Sequence, residues 1–164
     1  MTDPIKFNLA LCSLLAICCL SCSSGAKSDS NEVETQAIAI DNTEELLGTW
    51  RNLSMTVRYL DKDSVFEVPE GRWEEKLQIK PIITTYAEDG TYSSKYYNLA
   101  DSLLLTTSGT WSLMQDSLYL TAEGKTKAYR FLKQGDIAVF TAQLDWDQDG
   151  LANELYSGRQ KKGH

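Results

Sequence analysis

Residues 138–146, with the sequence AVFTAQLDW, alternate between two kinds of side chain. Every second residue is apolar, namely Ala138, Phe140, Ala142, Leu144 and Trp146. From Thr141 onward the residues between them are polar. A period of two is typical of a strand that buries one face, whereas a helix repeats its apolar positions every three to four residues. The stretch therefore predicts a half-buried β-strand.

Turn signals divide the rest of the chain into segments of similar length. They include Asp89-Gly90, Gln115-Asp116, Glu123-Gly124, Gln134-Gly135 and Asp149-Gly150. From Gln115 onward they recur about every 10 residues, which is the spacing of antiparallel strands joined by hairpins. We predict an all-β fold, a small antiparallel up-and-down barrel of about eight strands, because closure leaves no exposed sheet edge. An open sandwich is the alternative.

The remaining local patterns are short. Residues 44–47 predict a helical turn, with Thr43 as its cap. Leu77 and Ile79 are expected to share one face of a strand, and Pro81 predicts an edge or a bulge. Residues 61–72 show no clear strand pattern.

The first part of the chain has the composition of an export signal. Residues 7–20, FNLALCSLLAICCL, follow Lys6 and are too short for a comfortable transmembrane helix. The junction Leu20-Ser21-Cys22 resembles the lipobox of bacterial lipoproteins. We therefore expect a signal peptide at 1–21, lipid on Cys22, a flexible acidic linker at 22–42 and a folded domain at 43–162. A buried core helix or a retained anchor is the alternative.

The positions of the cysteines and of the histidine restrict the chemistry of the folded domain. The four cysteines, Cys12, Cys18, Cys19 and Cys22, all precede residue 23, and the single histidine is His164. The domain therefore has no thiol for a disulfide, a nucleophile or a metal site, and no histidine held in fixed geometry. The formal charge of −7 argues against a nucleic-acid partner. We expect a protein that is not an enzyme.

Several motifs resemble those of lipocalin-like domain lipoproteins of Bacteroidota-type bacteria. They are Leu47-Gly48-Thr49-Trp50, Glu88-Asp89-Gly90-Thr91-Tyr92, Ser108-Gly109-Thr110-Trp111-Ser112-Leu113, Asp116-Ser117-Leu118-Tyr119-Leu120 and Glu154-Leu155-Tyr156-Ser157-Gly158. The resemblance implies a barrel in which Gly48 and Trp50 begin the first strand. It also implies that the Trp50 indole closes one end beneath a late arginine, here Arg159. Ser23 after the lipidated cysteine resembles outer-membrane sorting, on either the periplasmic face or the cell surface.

The segment 145–154, DWDQDGLANE, carries oxygen ligands at alternate positions. Asp145, Asp147 and Asp149 precede Gly150, as carboxylates precede a glycine in calcium-binding loops. The remaining candidate ligands are the Leu151 carbonyl oxygen and the side chains of Asn153 and Glu154. The sequence thus makes calcium the one candidate cofactor, and a solvated acidic hairpin is the alternative.

The aromatic residues and the paired acids complete the candidate sites. The four tryptophans, Trp50, Trp73, Trp111 and Trp146, and the eight tyrosines either line a ligand cavity or fill the core. Glu74-Glu75 and Asp61/Asp63 are expected to be solvated rather than paired across a cleft. The predicted function is binding of a small apolar or amphipathic ligand by a membrane-anchored protein. The alternative is an accessory or inhibitor protein that acts through its surface.

Overall fold

The computed structural model describes residues 43–163. The predicted signal peptide at 1–21, the linker at 22–42 with Cys22, and His164 lie outside the described residues. The described part contains nine strands and two short helices: α1 Thr43–Leu46, β1 Gly48–Tyr59, β2 Ser64–Val68, α2 Trp73–Leu77, β3 Ile83–Tyr86, β4 Thr91–Tyr97, β5 Leu103–Met114, β6 Ser117–Ala122, β7 Lys125–Gln134, β8 Ile137–Leu144 and β9 Glu154–Lys162.

Eight of these strands close into an antiparallel barrel, in the order β1-β3-β4-β5-β6-β7-β8-β9. β1 closes the ring because it pairs with β3 on one side, Trp50 opposite Thr84, and with β9 on the other, Val57 opposite Tyr156. The predicted up-and-down barrel is confirmed, and the β1–β9 pairing rules out the open sandwich. β2 pairs with the second half of β1 beyond the reach of β3.

A bulge in β1 determines which side chains point into the barrel. Its register against β9 shifts between Asn52 and Ser54, so that Leu53 is an extra residue. Asn52 lies opposite Gln160 before the shift, and Met55 lies opposite Gly158 after it. Because an extra residue reverses the alternation of a strand, even-numbered residues face inward before Leu53 and odd-numbered residues after it.

Two apolar clusters fill much of the barrel. The first packs Leu46, Trp50, Tyr86, Trp111, Leu118, Phe131, Ala138 and Phe140. The second packs Met55, Val57, Val68 and Trp73 next to β2 and α2. The alternation predicted for residues 138–146 is confirmed as far as Leu144, since Ala138 and Phe140 are buried and Gln143 is exposed. The strand ends there, and Trp146 beyond it is 39% exposed.

The segment between β1 and β3 departs from the sequence-based expectation. The expected strand face of Leu77 and Ile79 is wrong, since Leu77 is the last residue of α2, which buries Trp73. Gln78 ends this helix in the left-handed conformation, with φ of 58°. Five residues are too few for a helical period to be recognised. The strand β2 lies within residues 61–72, where no strand pattern was visible.

Candidate functional site

Trp50 lies near the start of β1, at one end of the barrel and next to the short helix α1. Its side chain is fully buried, and its indole N–H donates a hydrogen bond to the Leu46 carbonyl oxygen at 2.7 Å. Phe131 and Phe140 both meet the indole edge to face, with ring centroids 6.4 Å away. The short helix α1 and Trp50 thus form a single plug at the start of β1.

Lys162 occupies the position expected for Arg159. Its ammonium lies 5.4 Å from the centroid of the Trp50 ring and donates a hydrogen bond to the Glu45 carbonyl oxygen at 3.1 Å. Arg159 instead pairs with Glu70 at 3.0 Å, with both side chains exposed. The alternation of β9 explains the difference, because Gln160 faces inward and its neighbour Arg159 must face outward.

A cavity of about 140 Å³ lies inside the barrel between the two apolar clusters. Tyr86 and Phe140 of its wall belong to the first cluster, while Ile82 and Tyr156 pack against the second. The complete lining is Asn52, Ile82, Thr84, Tyr86, Ser94, Tyr96, Leu120, Tyr129, Phe140, Tyr156 and Gln160. The barrel therefore combines a plugged end with an internal space.

The polar part of this lining is arranged in two pairs. Gln160 Nε2 donates to Asn52 Oδ1 at 3.2 Å, and the hydroxyls of Thr84 and Ser94 share a hydrogen bond of 2.8 Å. All four side chains are buried, with exposed fractions of 9% or less. Gln160 Oε1 is buried without a hydrogen-bond partner. This oxygen is enclosed by neighbouring protein atoms and does not face the open space of the cavity.

The tyrosines give the cavity a neutral, partly apolar wall. The rings of Tyr129 and Tyr156 meet edge to face, with centroids 6.1 Å apart. Burial raises the pKa of Tyr129 to about 12, and it also raises the pKa values of Tyr86 and Tyr156. Their phenols are therefore protonated at neutral pH. The wall contains no side chain that is charged at that pH.

Gly158 makes room for one of these rings. A Cβ atom at this position would overlap the hydroxyl oxygen of Tyr156, two residues earlier on the same face of β9. The Tyr156 side chain therefore lies across the glycine, and the indole of Trp146 stacks on its ring at 5.9 Å. The Tyr-Ser-Gly motif of β9 thus shapes the cavity wall.

The three aspartates predicted to bind calcium converge in the loop between β8 and β9. Asp145, Asp147 and Asp149 each place one carboxylate oxygen within 4.8 Å of the others, and all three residues are exposed. The Lys62 ammonium lies 2.8 Å from Asp147 Oδ2 and lowers the pKa of Asp147. Asp145 accepts a hydrogen bond from the Gly150 amide at 3.2 Å.

The other predicted calcium ligands hold the loop together. Glu154 is fully buried, and its Oε2 accepts a hydrogen bond from the Trp146 amide at 2.7 Å. The surrounding acceptors orient the side-chain amide of Asn153. Its Nδ2 donates to the Leu151 carbonyl oxygen at 3.3 Å and to Glu154 Oε1. These three residues therefore already have partners within the loop. Asp149 does too, since its Oδ1 accepts a hydrogen bond from the Leu151 amide at 2.8 Å.

The remaining sequence candidates are dispersed. Asp61, Asp63 and Glu74 are exposed, and Glu75 forms an exposed ion pair with Arg72 at 2.6 Å. Trp111 belongs to the first cluster, and its indole N–H donates to the Ala87 carbonyl oxygen at 3.0 Å.

Sequence reasoning did not find the polar half of the cavity wall, namely Asn52, Thr84, Ser94 and Gln160. The sequence did carry a signal for Gln160. It lies at alternate positions with Tyr156 and Gly158, so the three share one face of β9.

Exposed leucines distinguish the hairpin between β4 and β5. Leu99 is 45% exposed, and Leu103, Leu104 and Leu105 are 55%, 58% and 46% exposed. They lie at the end of the barrel opposite Trp50. Trp50 is the third residue of β1, and β4 runs parallel to β1 in the alternating order of the sheet, so the end of β4 lies far from Trp50.

Among residues 43–163, no helix is long and apolar enough to cross a bilayer. No family model matches the chain, and a search of curated proteins finds no significant match.

Proposed function

We propose that this protein is a lipocalin-like lipoprotein of the bacterial envelope, anchored by lipid on Cys22 in the outer membrane, whose barrel binds a small amphipathic ligand without catalysis. The observation that carries the binding part is the cavity of about 140 Å³ inside the barrel, whose wall combines aromatic rings with the buried polar side chains of Asn52 and Thr84. Anchoring is supported by the apolar segment 7–20 and the Leu20-Ser21-Cys22 junction.

The size and lining of the cavity favour a small ligand. An apolar cavity of roughly 150 Å³ accommodates a benzene ring, so this space accepts a molecule of about that size. Leu120, Phe140 and Ile82 provide apolar contacts, whereas Asn52 and Gln160 offer hydrogen bonds at the same wall. Binding sites of this kind combine apolar walls with a few placed polar groups.

Native mass spectrometry of the protein purified from its own host tests ligand binding. We expect a fraction of the protein to carry one small additional mass. Ser94→Leu is the matched variant, because a leucine at this buried wall position fills the space from within. The added mass should be lost in this variant while the far-UV spectrum stays that of the wild type. A wild-type protein with no additional mass contradicts the proposal.

Membrane fractionation tests the anchor separately. Cys22→Ser should move the protein from the membrane fraction to the soluble fraction, because the acceptor for lipid is removed. Cys19→Ser is the control, since that cysteine belongs to the predicted leader and should leave anchoring intact. Retention of the Cys22→Ser protein in the membrane fraction contradicts lipidation at this residue.

The exposed leucines of the β4–β5 hairpin favour a second candidate function, an accessory or inhibitor protein that acts through its surface. Large apolar groups gathered at one exposed site are typical of interaction surfaces. A photo-crosslinking residue at Leu104 should then capture one envelope protein, and the same residue at the exposed Lys127 of β7 should not. Equal or absent capture at both positions rejects this candidate.

Calcium binding by the loop between β8 and β9 stays a separate proposal. The three converging aspartates supply hard oxygen ligands of the kind that calcium prefers. Lys62 competes with the cation, because its ammonium already neutralises Asp147. The three aspartates therefore fit calcium only when Lys62 moves away from Asp147. Removing the Lys62 ammonium thus tests calcium binding.

A further inference from the structure

We infer that the barrel end opposite Trp50 inserts its exposed leucines into the surface of a phospholipid bilayer. Leu60, Leu99 and Leu151 form this contact from three different turns, β1–β2, β4–β5 and β8–β9, together with the start of β5. We call these turns the leucine end. Such a contact adds to the proposed lipid on Cys22, because the folded domain then touches the bilayer itself.

The three turns lie at the same end of the barrel. The strands β1, β4 and β8 all run away from Trp50 in the alternating order of the sheet. Direct contacts also join two of the turns. The Leu60 amide donates to the Asn153 carbonyl oxygen at 3.2 Å, and the Lys62 ammonium lies 2.8 Å from Asp147 Oδ2.

Exposed apolar side chains are concentrated at the leucine end. Leu60 is 53% exposed and Leu151 is 62% exposed, and the four leucines of the β4–β5 hairpin lie on the same rim. Met114 and Leu132 are exposed toward the Trp50 end, but they lie on two strands that are not neighbours. Large apolar groups gathered in one region of a surface mark a site of interaction.

The end of the β4–β5 hairpin stands clear of the barrel. Leu103, Leu104 and Leu105 are consecutive in the chain, and all three are exposed. Successive side chains of a strand point to opposite faces, so a strand that rested on the core would hide every second one. Both faces of this strand end are therefore free to enter an apolar layer.

The turn between β4 and β5 satisfies its own polar groups. Asn98 Oδ1 accepts hydrogen bonds from the Ala100 amide at 3.0 Å and from the Ser102 amide at 2.9 Å. The Asn98 amide donates to the Ser102 carbonyl oxygen at 2.9 Å, and the Asp101 carboxylate pairs with Lys80. Unpaired backbone groups and unpaired charges are costly in an apolar layer, so these contacts lower the cost of leaving water.

The arrangement of the leucines favours a bilayer over a protein partner. They project from separate turns around the rim, whereas a standard protein interface needs roughly 800 Å² of matched surface on each partner. A bilayer accepts separate apolar tips. A second copy of this chain is disfavoured, because Asp145, Asp147 and Asp149 at the same end would meet their counterparts.

The proposed tether is long enough for this orientation. Thr43 begins α1 at the Trp50 end, and Cys22 is 21 positions before it in the chain. A chain of that length spans at most about 70 Å, whereas the 12 residues of β1 are about 40 Å long. Lipid on Cys22 can therefore reach a bilayer at the leucine end. Only this step rests on the proposed anchoring.

Photo-crosslinking of the full chain in its host tests the contact. A photoreactive residue replaces Leu104 or Leu151 in turn, and mass spectrometry identifies what each position captures. We expect phospholipid adducts at both positions. Met114 is the matched control, because it is 61% exposed and lies toward the Trp50 end, so a photoreactive residue there should capture no phospholipid.

A second variant measures the strength of the contact. Leu99→Ser removes one leucine from the hairpin, and withdrawing one leucine from an apolar phase weakens binding by about tenfold. Capture of phospholipid by the photoreactive residue at position 151 should therefore fall by up to about tenfold, although this residue lies in another turn. Met114→Ser is the control and should leave that capture unchanged.

Every outcome decides. Capture of a protein in place of phospholipid at the two leucine positions overturns the inference and supports the function through a protein partner. Equal phospholipid capture at Met114 and Leu104, or none at either leucine position, also overturns it. Fractionation of Cys22→Ser judges the anchor separately, because phospholipid capture at Leu104 in a chain without lipid on Cys22 supports the contact and rejects only the anchor.

Discussion

Replacing Trp50 with alanine should remove much of the stability of the barrel. The side chain is fully buried, and its indole contacts both Phe131 and Phe140 at 6.4 Å. Substitutions of buried tryptophan by alanine cost about 3–5 kcal/mol through lost burial and the cavity left behind. Trp50→Ala also removes the N–H donor to the Leu46 carbonyl oxygen, which is left buried without its partner. We therefore expect a loss of stability toward the upper end of this range.

Urea unfolding of the purified protein measures this change as a shift in the midpoint at an unchanged slope. Trp50→Phe is the intermediate variant, since it keeps an aromatic ring in the plug but removes the N–H donor and part of the indole volume. We expect it to cost about 1–3 kcal/mol. Trp146→Ala is the control for losing any tryptophan, because this side chain is 39% exposed and should cost clearly less than Trp50.

A Trp50→Ala protein as stable as the wild type would refute the assignment of this indole as the plug. So would a Trp146→Ala protein that loses as much stability as Trp50→Ala, because the effect would then not depend on burial. A change in the slope of the urea curve would instead indicate that the barrel no longer unfolds in one step.

Three further predictions follow from other parts of the barrel. Gly109→Ala should destabilise by about 1–3 kcal/mol in urea unfolding, because a Cβ atom would overlap the backbone carbonyl oxygen of Thr121. Its neighbour Ser108 is exposed, and Ser108→Ala should be close to neutral. Lys62→Met should enlarge any rise of Tm caused by calcium, reversibly with a chelator, because it frees Asp147. The stability that the burial of Tyr129 contributes should be fully present below pH 10 and fall as the pH rises toward about 12, because burial raises the pKa of Tyr129 from 10.0 to about 12 and ionisation favours the unfolded chain.

Distinct results would contradict each of them. A neutral Gly109→Ala would mean that β5 and β6 separate easily at this point. An unchanged Tm in calcium, for both the wild type and Lys62→Met, would leave the acidic loop as a solvated turn. A urea midpoint that stays constant between pH 10 and pH 12 would contradict the burial of Tyr129 given by the barrel.

The strands were predictable because apolar and polar side chains alternate within them. β8 shows this most clearly, since Ala138 and Phe140 are buried at positions where the sequence alternation places apolar residues. β2 was not predictable, because Val65 is 47% exposed although it is apolar, and this obscures the alternation of its neighbours. α2 is too short to show a helical period, and its burial of Trp73 depends on contacts with β1 and β2.

The cavity could not be predicted from local patterns, because it depends on pairing between distant strands. Asn52 and Gln160 are 108 residues apart and meet only because β1 and β9 close the barrel. The bulge at Leu53 then changes which residues of β1 face inward. That Lys162 rather than Arg159 lies beside Trp50 has a similar origin. The alternation of β9 decides which of these two side chains faces inward.

Nuclear Overhauser effects from phenol, a single-ring probe of the size of the cavity, to labelled methyl groups test the central claim of a binding site inside the barrel most directly. They show whether the bound phenol lies inside or outside the barrel. Ile82 and Leu120 line the cavity, whereas Leu104 is exposed on the β4–β5 hairpin. We predict contacts from the phenol ring to the methyl groups of Ile82 and Leu120 and none to those of Leu104. Contacts confined to Leu104 and its neighbours would contradict a binding site inside the barrel.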